Sequence, residues 1–157
     1  MAVTSKTGAD KEKPVILIVD DDDEMNLAMA QAILEVKVKA EYLTASSGKQ
    51  CLQILQNRMG KVDLILLDVA MPGMDGLETL AAIRKRDGWK SLQVIFLTAA
   101  ADKNTIVRAS QLGITDYVRK PFVAQDLIDR VERALVVRQM DDPEIQDLLK
   151  ALEQMGS

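Results

Sequence analysis

The apolar residues of this chain alternate between runs typical of buried strands and spacings typical of amphipathic helices. A continuous aliphatic run indicates a strand buried on both faces, whereas apolar residues three and four positions apart indicate the buried side of a helix. The predicted strands are Val15–Val19, Ala40–Ala45, Val62–Leu67, Leu92–Leu97 and Thr115–Arg119. The predicted helices are Glu24–Glu35, Gly48–Met59, Leu77–Arg86, Lys103–Leu112 and Ala124–Met140. Five such alternations predict an α/β fold, a doubly wound parallel sheet with helices on both faces.

A further short helix is predicted at the C-terminus. Asp141-Asp142-Pro143-Glu144 is a helix-start signal, and apolar residues follow it at helical spacing: Ile145, Leu148, Leu149 and Leu152. Such a stripe most often packs on its own domain; pairing with a partner or a second copy, or the start of a linker, are the alternatives. We therefore divide the chain into a flexible N-terminal tail (1–13), one globular domain (14–140) and an amphipathic helical extension (141–157).

Polar side chains follow four of the five predicted strands. Asp20 and Asp21 come after the first strand, Asp68 after the third, Thr98 after the fourth and Lys120 after the fifth. In a parallel sheet of this kind, ligands bind beyond the carboxyl ends of the strands. The sequence therefore predicts that these five side chains meet at one edge of the sheet.

Composition fits one soluble domain with an aliphatic core. The chain has 157 residues, of which 48% are hydrophobic and 3% aromatic. No apolar run is long enough to span a bilayer, and the N-terminus lacks the apolar stretch of a signal peptide. The lone Cys51 has no partner in the chain, so nothing requires an oxidising compartment. We expect a cytoplasmic protein with no membrane contact.

Charge is concentrated at one point of the chain. The net charge is −4, and the run Asp20-Asp21-Asp22-Asp23-Glu24 alone carries −5. With this acidic balance and no basic stripe, direct binding to nucleic acid is not expected. The chain contains no histidine, which excludes a histidine general base, a histidine-ligated zinc site and a phosphohistidine on this chain.

The predicted cluster suits a divalent cation and phosphoryl chemistry. Three neighbouring carboxylates, Asp20, Asp21 and Asp68, repel one another and offer hard oxygen ligands, which favour Mg²⁺, with Mn²⁺ as a second choice. The carboxylate of Asp68 can attack phosphorus to form an acyl phosphate. Lys120 and the hydroxyl of Thr98 can then hold phosphoryl oxygens. Taken singly, each residue also has an ordinary interpretation: a solvated loop or helix cap, a surface lysine, a strand-end hydroxyl.

From about Val15 to Met140 the sequence resembles the receiver domain of two-component response regulators. The matching segments are Asp20-Asp21, the block Asp68-Val69-Ala70-Met71-Pro72-Gly73-Met74-Asp75-Gly76, the step Leu97-Thr98-Ala99, and Asp116-Tyr117-Val118-Arg119-Lys120-Pro121-Phe122. Their spacing also matches, with 30 residues from Asp68 to Thr98 and 22 from Thr98 to Lys120. Four motifs in this order are highly specific.

The resemblance implies a flavodoxin-like sheet of order 2-1-3-4-5 and a role for each site residue. Asp68 would accept a phosphoryl group from a sensor histidine kinase or a phosphotransfer protein. Asp20, Asp21, Asp68 and the backbone carbonyl of Ala70 would hold Mg²⁺, with Asp20 acting mostly through water. Thr98 and Lys120 would hold the phosphoryl oxygens, and the Lys120–Pro121 bond would be cis. The domain would promote its own phosphorylation and dephosphorylation without turning over a separate substrate.

The resemblance also implies a switch on the face formed by the fourth predicted helix, the fifth strand and the fifth helix. Tyr117 would rotate inward as Thr98 moves toward the phosphate, although a core aromatic is a competing interpretation. This face, or the C-terminal helix, could form a homodimer, and the downstream effector is not specified. Two alternatives remain open: a phosphatase with Asp20 as its nucleophile, and an interaction module that never uses the acidic site.

Overall fold

A computed structural model describes residues 13–21, 23–99, 103–140 and 143–156 of the chain. Five strands alternate with helices, and a sixth helix follows the fifth. The strands are β1 (Val15–Val19), β2 (Glu41–Ala45), β3 (Leu64–Asp68), β4 (Gln93–Thr98) and β5 (Asp116–Arg119). The helices are α1 (Asp23–Glu35), α2 (Gly48–Asn57), α3 (Gly76–Lys85), α4 (Lys103–Gln111), α5 (Ala124–Met140) and α6 (Pro143–Met155). The predicted α/β fold and its added C-terminal helix are confirmed.

The five strands form one parallel sheet of order β2-β1-β3-β4-β5. The order reverses between β1 and β3, whose pairing aligns Val19 with Leu67. Asp68 in turn aligns with Leu97 on β4. This register puts the carboxyl ends of β1, β3 and β4 side by side at the sheet edge predicted to hold the site. The point between β1 and β3 where the strand order reverses is the switch point of the sheet.

Each face of the sheet has its own hydrophobic core, because alternate residues of a strand point to opposite faces. Leu17, Ile65 and Phe96 pack against α2, α3 and α4, whereas Ile18, Leu66 and Ile95 pack against α1 and α5. The core strands β1, β3 and β4 are buried along almost their whole length. The continuous aliphatic runs that predicted these strands are therefore explained by helices on both faces.

Cys51 belongs to the first of these cores. Its side chain is buried on α2, and burial raises the pKa of the thiol from 9.0 to about 12. A thiol in such surroundings stays protonated and acts as a small apolar side chain.

The element bounds differ from the predictions by at most two residues, and at α2 the physical reason is clear. The prediction continued the helix to Met59, but the helix ends at Asn57. Met59 and Gly60 take left-handed backbone conformations, with φ of 54° and 72°. A right-handed helix does not continue through residues in this conformation. The apolar residues therefore keep their helical spacing as far as Met59, although the helix has already ended.

Packing of α6 on its own domain is one of three interpretations left open above, and the described side chains of α6 do not support it. Every one of them, from Gln146 to Met155, is exposed. The proposed tail of residues 1–13 lies outside the described part of the chain apart from Lys13, and the division into domains stays a prediction. Among the helices of the described residues, none combines the length and apolarity needed to cross a bilayer.

Candidate functional site

Three of the predicted site residues, all aspartates, lie together at the carboxyl ends of the strands. Oxygens of Asp20, Asp21 and Asp68 all lie within 4.8 Å of one another. Asp20 and Asp68 are buried, with exposures of 2% and 4%, and Asp21 is partly exposed. Residues nearly fifty positions apart in the chain thus form one acidic cluster because β1 and β3 are neighbours in the sheet.

Lys120 delivers a positive charge to this cluster from the end of β5. Its Nζ lies 2.7 Å from Oδ2 of Asp20 and 3.5 Å from Oδ1 of Asp68. The backbone N–H of Lys120 donates to the carbonyl of Thr98 at 2.8 Å, which fixes the loop after β5 to the end of β4. The peptide bond between Lys120 and Pro121 is cis, as predicted.

The electrostatics of Asp68 follow from this crowding. Burial, and then the charge of Asp20, raise the pKa of Asp68 from 3.8 to about 6, while Lys120 and the N–H of Ala70 act in the opposite direction. That N–H donates to Oδ1 of Asp68 at 3.3 Å. Burial lowers the pKa of Lys120, but its hydrogen bond to Asp20 and the charge of Asp68 more than offset this and raise it overall. One lysine therefore neutralises the cluster only in part.

The donor set and the charge of the cluster fit a hard divalent cation. Carboxylate oxygens within 4.8 Å of one another can share one ion, and Mg²⁺ prefers oxygen ligands of this kind. Burial and the charge of Asp20 raise the pKa of Asp68, and a bound cation would favour its ionised form. The place of the Ala70 carbonyl in the ligand set stays a prediction.

Thr98 on β4 and Tyr117 on the neighbouring β5 lie on the same face of the sheet beside the cluster. Thr98 is the last residue of β4, is 6% exposed and follows the residue aligned with Asp68. Tyr117 on β5 aligns with Phe96 and therefore lies on the α4 side of the sheet. Its side chain is 37% exposed, so the ring is not a buried core aromatic in this conformation.

Gly76 is a positioning residue whose role the sequence analysis missed. It begins α3 after the N-cap Asp75, and its N–H donates to the carbonyl of Val69 at 2.9 Å. A Cβ on Gly76 would lie 2.6 Å from the carbonyl oxygen of Asp68 and 2.7 Å from Cα of Val69. The helix therefore rests directly on the backbone that carries Asp68. Gly76 stands among turn-forming residues before the predicted helix, and that position gave no signal for such a close approach.

We expect Gly76→Ala to destabilise the protein by about 1–2 kcal/mol, because the clash with backbone outweighs the gain in helix propensity. Urea unfolding followed by circular dichroism measures the change. Gly156→Ala is the matched control, since its Cβ would meet nothing closer than 3.5 Å. A more stable Gly76→Ala protein would show that α3 can move away from Asp68 at little cost.

Arg84 is a second residue that the sequence did not single out. Its guanidinium reaches from α3 to the end of α4, donating to the carbonyls of Leu112 at 2.9 Å and Gly113 at 2.8 Å. A third bond, at 3.2 Å, goes to the carbonyl of Trp89. Burial lowers the pKa of Arg84. The C-terminal end of α4 is therefore attached to α3, and nothing in local sequence pattern predicts such a long-range cap.

Comparison with known proteins agrees with this geometry. The family profile described as "Response regulator receiver domain" matches residues 16–132. The chain is 35% identical over 118 residues to the chemotaxis protein CheY of Pseudomonas aeruginosa, covering 75% of this chain and 93% of that protein. It is 33% identical over 124 residues to the DNA-binding transcriptional regulator NtrC of Escherichia coli, covering 79% of this chain.

The chain spans only part of several of these relatives. It covers 25% of NtrC and 8% of hybrid signal transduction histidine kinase D of Dictyostelium discoideum, to which it is 32% identical over 126 residues and 80% of its own length. Among solved structures, a response regulator receiver domain protein from Clostridium thermocellum superposes with a TM-score of 0.74 at 30% identity, covering 82% of this chain and 99% of that one.

Proposed function

The chain belongs to the response regulator receiver domain family of two-component systems, and on that premise we propose that Asp68 is its phosphoacceptor. The observation that carries the proposal is the burial of Asp68 between Asp20 and Lys120 at the switch point of the sheet. A carboxylate oxygen of Asp68 would attack phosphorus, and the P–N bond of a phosphohistidine on a histidine kinase or phosphotransfer protein would break. The electron pair of that bond leaves with the imidazole, which takes up a proton.

We assign the cation site to Asp20, Asp21, Asp68 and the carbonyl of Ala70, with Mg²⁺ as the expected ion and Mn²⁺ as a substitute. The spacing of the three carboxylates supports this assignment. When bound, the ion supplies positive charge to the phosphoryl oxygens and offsets repulsion among the carboxylates. The buried contact between Lys120 and Asp20 supports a role for Asp20 in orienting the lysine as well.

Lys120 and Thr98 would hold the remaining phosphoryl oxygens. The Nζ of Lys120 already lies 3.5 Å from Oδ1 of Asp68, so it can bind an oxygen of a phosphoryl group attached to Asp68. Thr98 stands at the end of the adjacent strand and can donate its hydroxyl. These contacts exist only with the phosphoryl group present, and they therefore favour a different position of the loop after β4.

That loop leads into α4, so we propose that the α4–β5–α5 face is where the switch is read. Tyr117, exposed in this conformation, would turn inward as Thr98 moves. Converting a mostly inactive population to a mostly active one takes about 5 kcal/mol. Two or three charge-assisted hydrogen bonds, at about 1.5–3 kcal/mol each, supply an amount of that order.

The test is phosphorylation by a small donor, read by mass. Incubation with acetyl phosphate and Mg²⁺ is expected to add about 80 Da, the mass of one phosphoryl group. Peptide mapping is expected to place it on Asp68, and Asp68→Ala is expected to show no gain. A label on Asp20 would favour the phosphatase alternative. Absence of any Mg²⁺-dependent label, with partner binding unaffected in Asp68→Ala, would favour a phosphorylation-independent module.

A further inference from the structure

A row of lysines lies at the edge of the sheet opposite the acidic cluster. One lysine comes two or three residues before each of the first four strands, and in the order of the sheet these are Lys39, Lys13, Lys61 and Lys90. All four are exposed. They belong to four separate segments of the chain, so the sequence itself shows no basic stretch. The fold therefore assembles a basic feature that local pattern does not reveal.

The strand register brings these four lysines to one level. The first aligned residues of the neighbouring strands are Val15 with Glu41, Ile16 with Leu64, and Leu64 with Gln93. Counting back two residues from the first pair, or three from each of the others, reaches two lysines every time. Neighbouring strands are about 4.8 Å apart, so the row crosses four strands within about 15 Å. Like charges at this spacing repel, which favours a ligand with several negative charges.

The acidic residues around this row do not neutralise it. We call the segments that lead into the five strands the amino edge, and these are 13–14, 35–41, 58–63, 85–93 and 112–115. The amino edge contains eight basic and four acidic residues, a net charge of +4. The four acids are Glu35, Glu41, Asp63 and Asp87.

Three of these acids contact neighbouring groups of the same edge. Glu41 pairs with Arg58 at 3.3 Å, and Asp63 accepts a hydrogen bond from the N–H of the first residue of β1 at 2.8 Å. Asp87 lies 3.6 Å from Lys90, but the two side chains are 100% and 68% exposed. Contacts between such exposed charges are weak. Lys90 therefore stays available to a ligand.

Two exposed apolar side chains flank the row, one on each face of the sheet. Val36 follows α1 and is 74% exposed, and Met59 follows α2 and is 75% exposed. Helices α1 and α2 pack on opposite faces of the sheet, so the two side chains stand on either side of the lysines. Phosphates alone would leave both uncovered, whereas the interfacial region of a bilayer takes up lysines and aliphatic side chains together.

The amino edge lacks the feature that single-stranded nucleic acid would need. Bases stack on exposed aromatic rings, but Trp89, in the segment before β4, is only 6% exposed. The guanidinium of Arg86 lies over the ring of Trp89, 4.3 Å from its centroid. The flanking Val36 and Met59 therefore favour a lipid surface over a nucleic-acid strand.

Helix α6 limits the strength of any such contact but does not cover the row. Helix α5 begins at the carboxyl edge and packs along the sheet, so α6 starts near the amino edge. Residues 141–157 carry a net charge of −4, which opposes binding to an anion. Every described side chain of α6 is exposed, so α6 does not lie across the lysines. We therefore expect reversible binding that needs a strongly anionic surface.

We propose that the amino edge docks on an anionic membrane surface. The four lysines of the row would contact lipid phosphates, and Val36 and Met59 would enter the interfacial region. The acidic cluster would then face away from the membrane, because it lies at the opposite edge of the sheet. Docking is thus independent of the phosphoacceptor assignment and leaves Asp68 accessible.

Flotation of the full chain with lipid vesicles tests the proposal. We expect binding to vesicles of equimolar phosphatidylcholine and phosphatidylglycerol, no binding to phosphatidylcholine alone, and weaker binding as salt is added. The row variant, Lys39→Glu with Lys61→Glu, should bind at least about tenfold more weakly. Val36→Ser with Met59→Ser should weaken binding about threefold or more, because these side chains no longer enter the interface.

The matched control is Lys49→Glu with Lys103→Glu. These exposed lysines begin α2 and α4 on the carboxyl side of the sheet, so the control has the same net charge as the row variant and an intact amino edge. We expect it to bind nearly as well as the wild type. Urea unfolding verifies that all variants are folded.

Four results would overturn the proposal. The first is no flotation of the wild type with anionic vesicles at low salt, and the second is equal weakening of the control and the row variant. The third is tighter binding to a single-stranded oligonucleotide than to vesicles, which would make the row a nucleic-acid surface. The fourth is self-association in sedimentation velocity that the row variant abolishes, without vesicle binding, which would assign the row to the acidic α6 of a second copy.

Discussion

In the absence of divalent cations, Asp68→Asn is expected to be more stable than the wild type by about 2 kcal/mol at pH 7. The pKa of Asp68 lies near 6 instead of 3.8, because burial and Asp20 disfavour its ionised form. Ionisation of Asp68 is therefore less favourable in the folded protein than in the unfolded chain, and at pH 7 this lowers the free energy of unfolding of the wild type. Asparagine keeps the shape and removes the charge, so the cost disappears together with the phosphoacceptor.

The difference in the free energy of unfolding between Asp68→Asn and the wild type should increase with pH. A carboxyl group whose pKa is raised in the folded state contributes stability below its unfolded pKa and loses that contribution as pH rises through the folded pKa. The advantage of Asp68→Asn is therefore small below about pH 4, grows between about pH 4 and pH 6, and stays constant above. Urea unfolding in EDTA at several pH values measures it.

Two comparisons check this interpretation. Asp87→Asn, at a carboxylate whose side chain is fully exposed, should change the free energy of unfolding by less than about 0.5 kcal/mol. Adding Mg²⁺ should stabilise the wild type more than Asp68→Asn, because the variant lacks one of the three carboxylates. The difference in stability between the two proteins should therefore become smaller. An Asp68→Asn protein less stable than the wild type in EDTA would show that Asp68 makes a favourable net contribution to the fold.

Replacing Lys120 with methionine is expected to have the opposite effect on stability and to impair phosphorylation. Lys120 is shared by Asp20 and Asp68, whose side chains are 1% and 6% exposed. Removing one partner from a buried ion pair typically costs about 3–5 kcal/mol. We expect a loss of about 2–4 kcal/mol in EDTA, because protonation of Asp68 limits the damage. Mass gain from acetyl phosphate should also become at least about tenfold slower.

A double-mutant cycle identifies the contact responsible. If the pairing with Asp20 dominates, Lys120→Met should cost much less in an Asp20→Asn background than in the wild type. Lys90→Met, at a lysine whose side chain is 68% exposed, is the control and should be nearly neutral. Equal costs of Lys120→Met in both backgrounds would mean that the 2.7 Å contact contributes little, and that Lys120 acts mainly through Asp68 or through packing.

Much of this architecture is predictable from local pattern because the strands are buried on both faces. The run Val15–Val19 and the helix Ala124–Met140 have the same bounds in the sequence prediction and in the structure. The ends of parallel strands meet at one edge, so the positions of Asp21, Asp68 and Lys120 after their strands were enough to predict their association. The association of these residues was therefore predicted from the topology of the sheet, because no local sequence signal links them to one another.

The features that local pattern missed depend on long-range contacts. Gly76 is required because the backbone of Asp68 and Val69 approaches it. Arg84 caps the end of α4 by donating to the carbonyl of Leu112, 28 residues farther along the chain. The exposure of α6 is a similar case. A stripe of leucines shows that a helix has an apolar side, but it does not specify which surface covers that side.

The buried state of Cys51 has a practical consequence for following this molecule in solution. A thiol with a pKa near 12 in a closed core reacts slowly with maleimides at neutral pH. A cysteine introduced on the surface would then be the fast-reacting thiol of the chain, and a fluorophore or spin label could be attached there while the native residue is kept. Distances within and between copies become measurable on an otherwise unaltered background.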